Sequence, residues 1–239
     1  MGFEQDIGAS GRVLMFDYYG SKNQLAKMYP EPRYGLIVEP FAGSAGYSMY
    51  WLQKRPDIKC VLVEKSDRVF GMWNWLKTAT PEDLDKLMDE CVLGQKSYNP
   101  FVMATQASNA FFNCKYMTVN KRMVERLPMS IKRMKSLLPV MDRVTVVHGD
   151  YAKLPNVEAT WFIDPPYQPV GGVRGNGYDK KCQCSANFID FPALGEWCKS
   201  RMGQVIVCEQ EGANWLPFRV LRETTNSQDK KYKEMIWTN

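Results

Sequence analysis

The sequence has a single histidine, His148, in 239 residues. No imidazole cluster can form, which speaks against metal centres built on several histidines. Seven cysteines are present, but Cys182 and Cys184 are separated by one residue rather than the two of a zinc-binding pair. An odd number of cysteines in a chain of this size reads as reduced thiols, not as a disulfide framework, and places the protein in the cytoplasm, of a bacterial cell or a phage-infected host. No run of 18 uncharged apolar residues occurs, so no membrane-spanning helix is expected. The first ten residues lack the basic-then-apolar layout of a secretory signal. No Gly-Lys-Ser or Gly-Lys-Thr follows a glycine turn, which excludes a phosphate loop. Internal repeats and low-complexity tracts are absent.

What is present suits a large packed core. About 45% of residues are hydrophobic and 13% aromatic, enough for one large domain or a domain with an insertion. The net charge of +5 permits a polyanionic partner without requiring one. Apolar runs near residues 34–39 and 58–64 read as buried strands, each followed by helical spacing. Residues 144–150 and 159–164 return to strand patterns. Residues 191–200 read as a helix, 203–210 as a strand, and the last 23 residues as an antiparallel pair. Between them, from Pro81 to Pro139, the spacing is helical with no strand pattern, and Pro128 predicts a break or kink. The expected fold class is therefore α/β: a Rossmann-like, mostly parallel sheet with helices on both faces. Residues 1–80 and 140–239 form the sheet domain, and 81–139 form a helical insertion between halves of the sheet.

Four strands end in acids: Glu39, Glu64, Asp150 and Asp164. Ligands of open α/β sheets bind beyond the carboxyl ends of the strands, and a carboxylate there must be solvated or bonded. Glu64 lies 25 residues after Glu39, near the spacing that sets an acid on ribose hydroxyls. The segment Asp164-Pro165-Pro166-Tyr167 is the sharpest signal. An exocyclic amine on a base is a poor nucleophile, because its lone pair is delocalised into the ring. Attack on an activated methyl needs acceptors at the amino hydrogens. Asp164 supplies one acceptor and the Pro165 carbonyl another. The two prolines hold the turn stiff, and Tyr167 offers a face for an extruded base.

These pieces, in this order, resemble the Dam-type family of DNA adenine-N6 methyltransferases: "DYYGSK" at 17–22, "EPFAGSAG" at 39–46, "VEKSD" at 63–67, "HGDY" at 148–151 and "DPPY" at 164–167. The resemblance implies S-adenosylmethionine as cofactor and double-stranded DNA as substrate, with base flipping and direct methyl transfer. It implies that Tyr18 and Lys22 touch the methionine part of the cofactor, with Phe41, Gly43 and Gly46 as wall and floor. Glu64 would bind the ribose, Asp150 the adenine amino group, and Tyr151 the adenine ring. Asp164, Pro165, Pro166 and Tyr167 would receive the target base. The loop reads Gly-Ser-Ala-Gly where relatives often have consecutive glycines, and Tyr19 stands where small residues are common, so either tyrosine could pack on the cofactor. No metal is required.

From Lys115 to Arg143, eight basic residues face two acidic ones, a local net charge of +6. A charge run is often only a solvated helix face. Within the insertion of a DNA enzyme it becomes a phosphate-binding surface, with Lys121, Arg122, Arg126, Lys132 and Arg133 as candidates. Arg174, Lys180 and Lys181 are candidates for holding the backbone around the flipped nucleotide. Asn109, Asn113 and Asn120 are candidates for base edges. Trp73 and Trp75 read as core, and His148 as a strand residue. A monomer or weak dimer is expected. Two alternatives stay open: cytosine-N4 methylation, and a non-catalytic DNA-binding protein that retains the fold. Carbon-5 methylation is disfavoured, because no cysteine follows a proline. Methylation of protein glutamine is disfavoured by the basic insertion.

Overall fold

The computed structural model describes residues 15–18, 20–22, 25–106, 114–170, 184–225 and 231–239. The first strand, β1 (Leu36–Glu39), leads through a glycine turn into helix α1 (Gly46–Lys54). Strand β2 (Lys59–Glu64) and helix α2 (Asp67–Leu76) repeat that unit. The segment that follows holds helix α3 (Pro81–Asp85), strand β3 (Lys96–Ser97), helix α4 (Pro100–Ala104), strand β4 (Met117–Thr118) and the long helix α5 (Lys121–Leu137). The chain then re-enters the sheet with β5 (Val144–His148) and β6 (Ala159–Ile163). Helix α6 (Phe191–Lys199) precedes β7 (Gly203–Gln210), β8 (Arg219–Thr225) and β9 (Lys231–Thr238).

The seven-stranded sheet has the order β5-β2-β1-β6-β7-β9-β8. Strands β5, β2, β1, β6 and β7 run parallel, whereas β9 is antiparallel to both β7 and β8. The sheet grows outward from β1 through β2 to β5, then returns to the other side of β1 with β6. The order therefore reverses between β1 and β6, which opens a crevice at their carboxyl ends. The α/β class, the mainly parallel sheet and the terminal antiparallel pair are as the sequence predicts.

Burial on both faces explains the apolar strands. Ile37, Phe162, Ile206 and Cys208 face a cluster shared with α1, α2 and α5. Their neighbours Val38, Trp161, Ile163, Val205 and Val207 face the opposite cluster, with Leu194 and Cys198 of α6. This is the period of two that a pleated strand imposes. Within the first cluster, Tyr47 stacks on Phe162 at 4.2 Å between ring centroids. Burying each such large side chain contributes roughly 1.5–3 kcal/mol.

Local sequence sets the helix starts. Thr80 and Asp83 form a reciprocal capping box at α3, with Pro81 in its first turn. Asn120 caps α5 by accepting from Met123 N, and Asp190 caps α6 by accepting from Ala193 N. Helix α5 buries Met123, Leu127, Ser130, Ile131, Met134 and Leu137, a stripe at helical spacing. The apolar members of this stripe join the same core as the sheet.

Four expectations are corrected. The segment 81–139 does contain strand: Lys96↔Thr118 and Ser97↔Met117 pair antiparallel. Two residues on each side are too short to leave a periodic signal. This segment also connects β2 to β5, which are neighbours on one side of the sheet, rather than joining the sheet's two halves. Of the break or kink expected at Pro128, the break is absent: helix α5 is continuous through it. Pro128 is exposed, so the backbone carbonyl that its missing N–H leaves free can turn to water, and the buried stripe holds the turns on either side. Finally, Cys60, Cys91, Cys114, Cys198 and Cys208 are free thiols, but Cys184 is disulfide-bonded. Reduced thiols throughout was an inference from chain size, and chain size does not govern a single pair.

Candidate active site

The loop after β1 enters the crevice as Pro40-Phe41-Ala42-Gly43. Ala42 N donates to Val63 O at 3.0 Å, tying the loop to the neighbouring strand. Gly43 has φ +47°, and an added Cβ would lie 2.8 Å from Tyr18 Cε1. Glycine is thus required twice, by the left-handed backbone and by the tyrosine ring packed on it. Trp73 Nε1 donates to Gly43 O at 2.7 Å. Trp73 is fully buried core and also clamps this loop. Gly46 opens α1. Buried Glu39 accepts from Ser48 N at 2.7 Å, so its role is to cap α1. Burial pushes its carboxyl up to about 8, and the Ser48 N–H offsets part of that rise.

Glu64 is buried at the end of β2. Its two oxygens accept from Gly43 N at 3.0 Å and Ser66 N at 2.8 Å. Burial raises its pKa, against the pull of these donors. These donors do not exhaust the four acceptor sites of the carboxylate. Two residues past β5, Asp150 accepts from Lys65 Nζ at 2.9 Å and from Ala152 N at 3.0 Å. Partial burial opposes its charge, but these donors hold its pKa below the usual carboxylate range. Tyr151 faces Phe41 with 5.2 Å between ring centroids. His148 ends β5, stacks on Phe70 at 4.7 Å and stays outside the buried cluster.

Asp164 follows the last residue of β6. Lys22 Nζ lies 3.0 Å from Asp164 Oδ1, with only 7% of the lysine side chain and 21% of the aspartate exposed. The same ammonium donates to Gly20 O at 2.8 Å and sits 4.7 Å from the centroid of the Tyr167 ring. Ser21 and Ser44, from the two glycine loops, share a hydrogen bond of 2.9 Å. Burial pushes the Asp164 carboxyl up to about 6, against the pull of Lys22. Burial disfavours the charge on Lys22, but Asp164 and Glu234 outweigh it and raise its pKa.

Three residues of this cluster were not among the sequence candidates. Glu234 accepts from Tyr29 Oη at 2.8 Å and Tyr167 Oη at 2.7 Å. Fully buried Glu209 accepts from Gln168 N at 3.0 Å, Gln210 N at 2.9 Å and Trp215 Nε1 at 2.9 Å, which fixes the far end of the Asp164–Tyr167 turn. Burial pushes Glu209 up to about 7, offset in part by these donors. Glu209 lies at the carboxyl end of β7, so a fifth strand-end acid was open to sequence reading; Glu234 and Tyr29 were not, because only β9's reversal and the sheet order bring them here.

The basic segment divides. Lys121, Arg122 and Lys132 are exposed, and Lys121 lies 3.8 Å from Glu125. Arg133 instead reaches Asp17 at 3.3 Å, with 15% and 11% of the two side chains exposed, and donates to Ser130 Oγ at 2.8 Å. Arg126 lies 4.0 Å from Asp17 and donates to Thr105 O at 3.3 Å. Asn120 is engaged in capping α5 and in donating to Gln106. Arg174, Lys180, Lys181, Tyr19, Asn109 and Asn113 lie outside the described residues. Away from the crevice, a cavity of about 750 Å³ opens between α2 and α3–α4, lined by Arg68, Trp75, Glu90, Asn99 and Phe101 among others. Trp75 is thus half-buried at a cavity wall rather than fully in the core. Among the described residues, no group of three or more His, Cys, Asp or Glu could hold a metal ion, and no helix is long and apolar enough to cross a membrane.

Fold and site together define a Rossmann-like α/β protein whose strand-end acids gather near the switch point of its sheet. No family model matches the chain, and no curated protein matches it. Among solved structures, it is similar to the Escherichia coli protein yhhF, described as a candidate methyltransferase: TM-score 0.33, 11% identity, covering 90% of this chain and 80% of that one. It is also similar to the antibiotic-resistance methyltransferase Kmr (TM-score 0.36, 8% identity, covering 85% and 86%). A third is a candidate methylase from Haemophilus influenzae (TM-score 0.32, 12% identity, covering 85% and 78%). All three TM-scores fall below 0.5, so the sheet order and the site's own residues decide the class.

Proposed function

We propose that the protein transfers a methyl group from S-adenosylmethionine to N6 of an adenine in double-stranded DNA. The observation that carries this reading is the Asp164–Tyr167 turn, set at the switch point with its carboxylate against Lys22. S-adenosylmethionine, when bound, supplies an electrophilic methyl group on a sulfonium.

The residues present fit such a donor. Glu64 and Asp150 retain lone pairs at adjacent strand ends for hydroxyl and amine donors. Phe41 and Tyr151, packed ring to ring, offer an aromatic wall next to Asp150. Gly43, having no side chain, lets the Tyr18 ring pack onto this loop beside the acids.

Asp164 accepts from the target amino group and the Pro165 carbonyl accepts a second hydrogen. Together they draw the nitrogen lone pair out of the ring as that nitrogen becomes tetrahedral. With a pKa of about 6, Asp164 is charged at neutral pH and can accept. Tyr167, its hydroxyl fixed by Glu234, presents a set face on which an extruded base stacks. Lys121, Arg122 and Lys132 on the exposed side of α5 neutralise phosphates.

The test is mass analysis of nucleosides after the full chain has acted on duplex DNA with methyl-labelled S-adenosylmethionine. Label in N6-methyladenine is expected. Label in N4-methylcytosine selects the first alternative. Donor binding without label in either base selects the non-catalytic one.

A further inference from the structure

We infer that Glu234 is a positioning residue for the transfer step: it gives Lys22 a second anionic partner, so that the ammonium can leave Asp164 when a target amine arrives. This rests on the methyl-transfer reading above.

The antiparallel insertion of β9 is what brings Glu234 here. Glu234 pairs in register with Gln210, the last residue of β7. A reversed strand therefore delivers a residue near its own start to the carboxyl edge, where the parallel strands end. Glu234 Oε1 lies 3.8 Å from Lys22 Nζ, with 9% of its side chain exposed. Asp164 Oδ1 lies on the same ammonium at 3.0 Å. One cation thus lies near a buried carboxylate and a partly buried one, and leans toward Asp164.

That arrangement occupies an oxygen that the target amine needs. Withdrawing a buried cation from its only partner would be strongly unfavourable. With Glu234 in place, Lys22 keeps an anionic partner at close range as it moves off Asp164. The groups around Glu234 are compatible with this. Tyr29 and Tyr167 both donate to Oε1 and fill its lone pairs, so Glu234 holds the ammonium by charge, and the carboxylate stays fixed while the lysine moves. Tyr167 keeps the ammonium over its ring. Cys208 lies beneath, fully buried.

The experiment compares Glu234→Gln and Glu234→Asp with the wild type, by kinetics and by carbon-13 titration of the Asp164 carboxyl in donor-free protein. In Glu234→Gln the amide oxygen still accepts from both tyrosines, and only the charge is lost. In that variant kcat falls about tenfold or more while KM for the donor stays within about twofold. Asp164 titrates at lower pH, because Lys22 is left wholly to it and a neighbouring negative charge is gone. Glu234→Asp keeps the charge and retains kcat within about fivefold of wild type. An unmoved Asp164 titration in folded Glu234→Gln overturns the proposal. So does a kcat within about twofold of wild type, or equal impairment of the two variants, since packing and not charge would then matter. If Glu234→Gln does not fold, Glu234→Asp decides: a loss of kcat beyond about a hundredfold overturns the proposal. A wild type that methylates no DNA refutes the functional reading, and the carboxyl titration then decides alone whether Glu234 competes for the lysine.

Discussion

The carboxyl edge of the sheet and helix α5 both concentrate charge, and they dispose of it in opposite ways. At the edge, Lys22, Asp164 and Glu234 are buried against one another, and each is fixed by a partner. On α5 the charges split by helix face: Arg126 and Arg133 turn inward to Asp17, while Lys121, Arg122 and Lys132 stay in water. Strand-end charges can be read from sequence because the strand fixes where they point. Helix charges cannot be sorted that way until it is known which stripe is buried and what lies across from it.

The largest effect that tests this contrast is at Asp164. Asp164→Ala should lower kcat by about 10²–10⁴-fold and leave donor binding, measured by calorimetry, within a few-fold of wild type. In the wild type, kcat should fall as pH drops through about 6, since the protonated acid is a weaker acceptor and cannot take the amine's proton. A flat profile from about pH 5 to 8 would remove Asp164 from the chemistry.

The next effect separates the two faces of α5. Arg133→Ala leaves Asp17 buried beside one fewer cation and should cost about 1–3 kcal/mol in urea unfolding. Lys132→Ala, one residue away, should leave stability within about 0.5 kcal/mol. The exposed triple change Lys121→Ala, Arg122→Ala, Lys132→Ala should weaken duplex binding at all sequences. It should also reduce the slope of log affinity against log salt by up to about 3. An unchanged slope would return this face to mere solvation.

A separate effect concerns Glu39, a strand-end acid with a structural role. Its folded pKa is about 8, against about 4.3 for an unfolded glutamate. Between those values the folded chain holds a proton that the unfolded chain has lost. Its stabilising contribution is complete below about pH 4.3 and lost as pH rises through about 8. Glu39→Gln, which still accepts from Ser48, should therefore show a smaller drop in urea midpoint from about pH 5 to 8.5 than the wild type. An equal drop in both would place the linkage elsewhere.

Much of the sheet was legible, because strands buried on both faces must be continuously apolar and a period of two leaves no other solution. The approximate positions of Glu39, Glu64, Asp150 and Asp164 followed from the same fact. The short pair β3–β4 was not legible, since two residues carry no period. Nor was the uninterrupted course of α5 through Pro128: proline's missing donor argues for a break, and only the packed stripe beneath outweighs it. Glu209 and Gln168 join through the ends of adjacent strands, a contact that needs the sheet order.

The sequence by itself determined which residues could do chemistry: the stiff Asp164–Tyr167 turn, the glycine loop at Gly43 and the acids at strand ends, all set by local backbone physics. Only the tertiary structure decided which of them share a charge. Lys22, Asp164 and Glu234 meet because the sheet reverses its order beside β1 and β9 runs backwards, and no local pattern encodes the distance between three segments more than 60 residues apart.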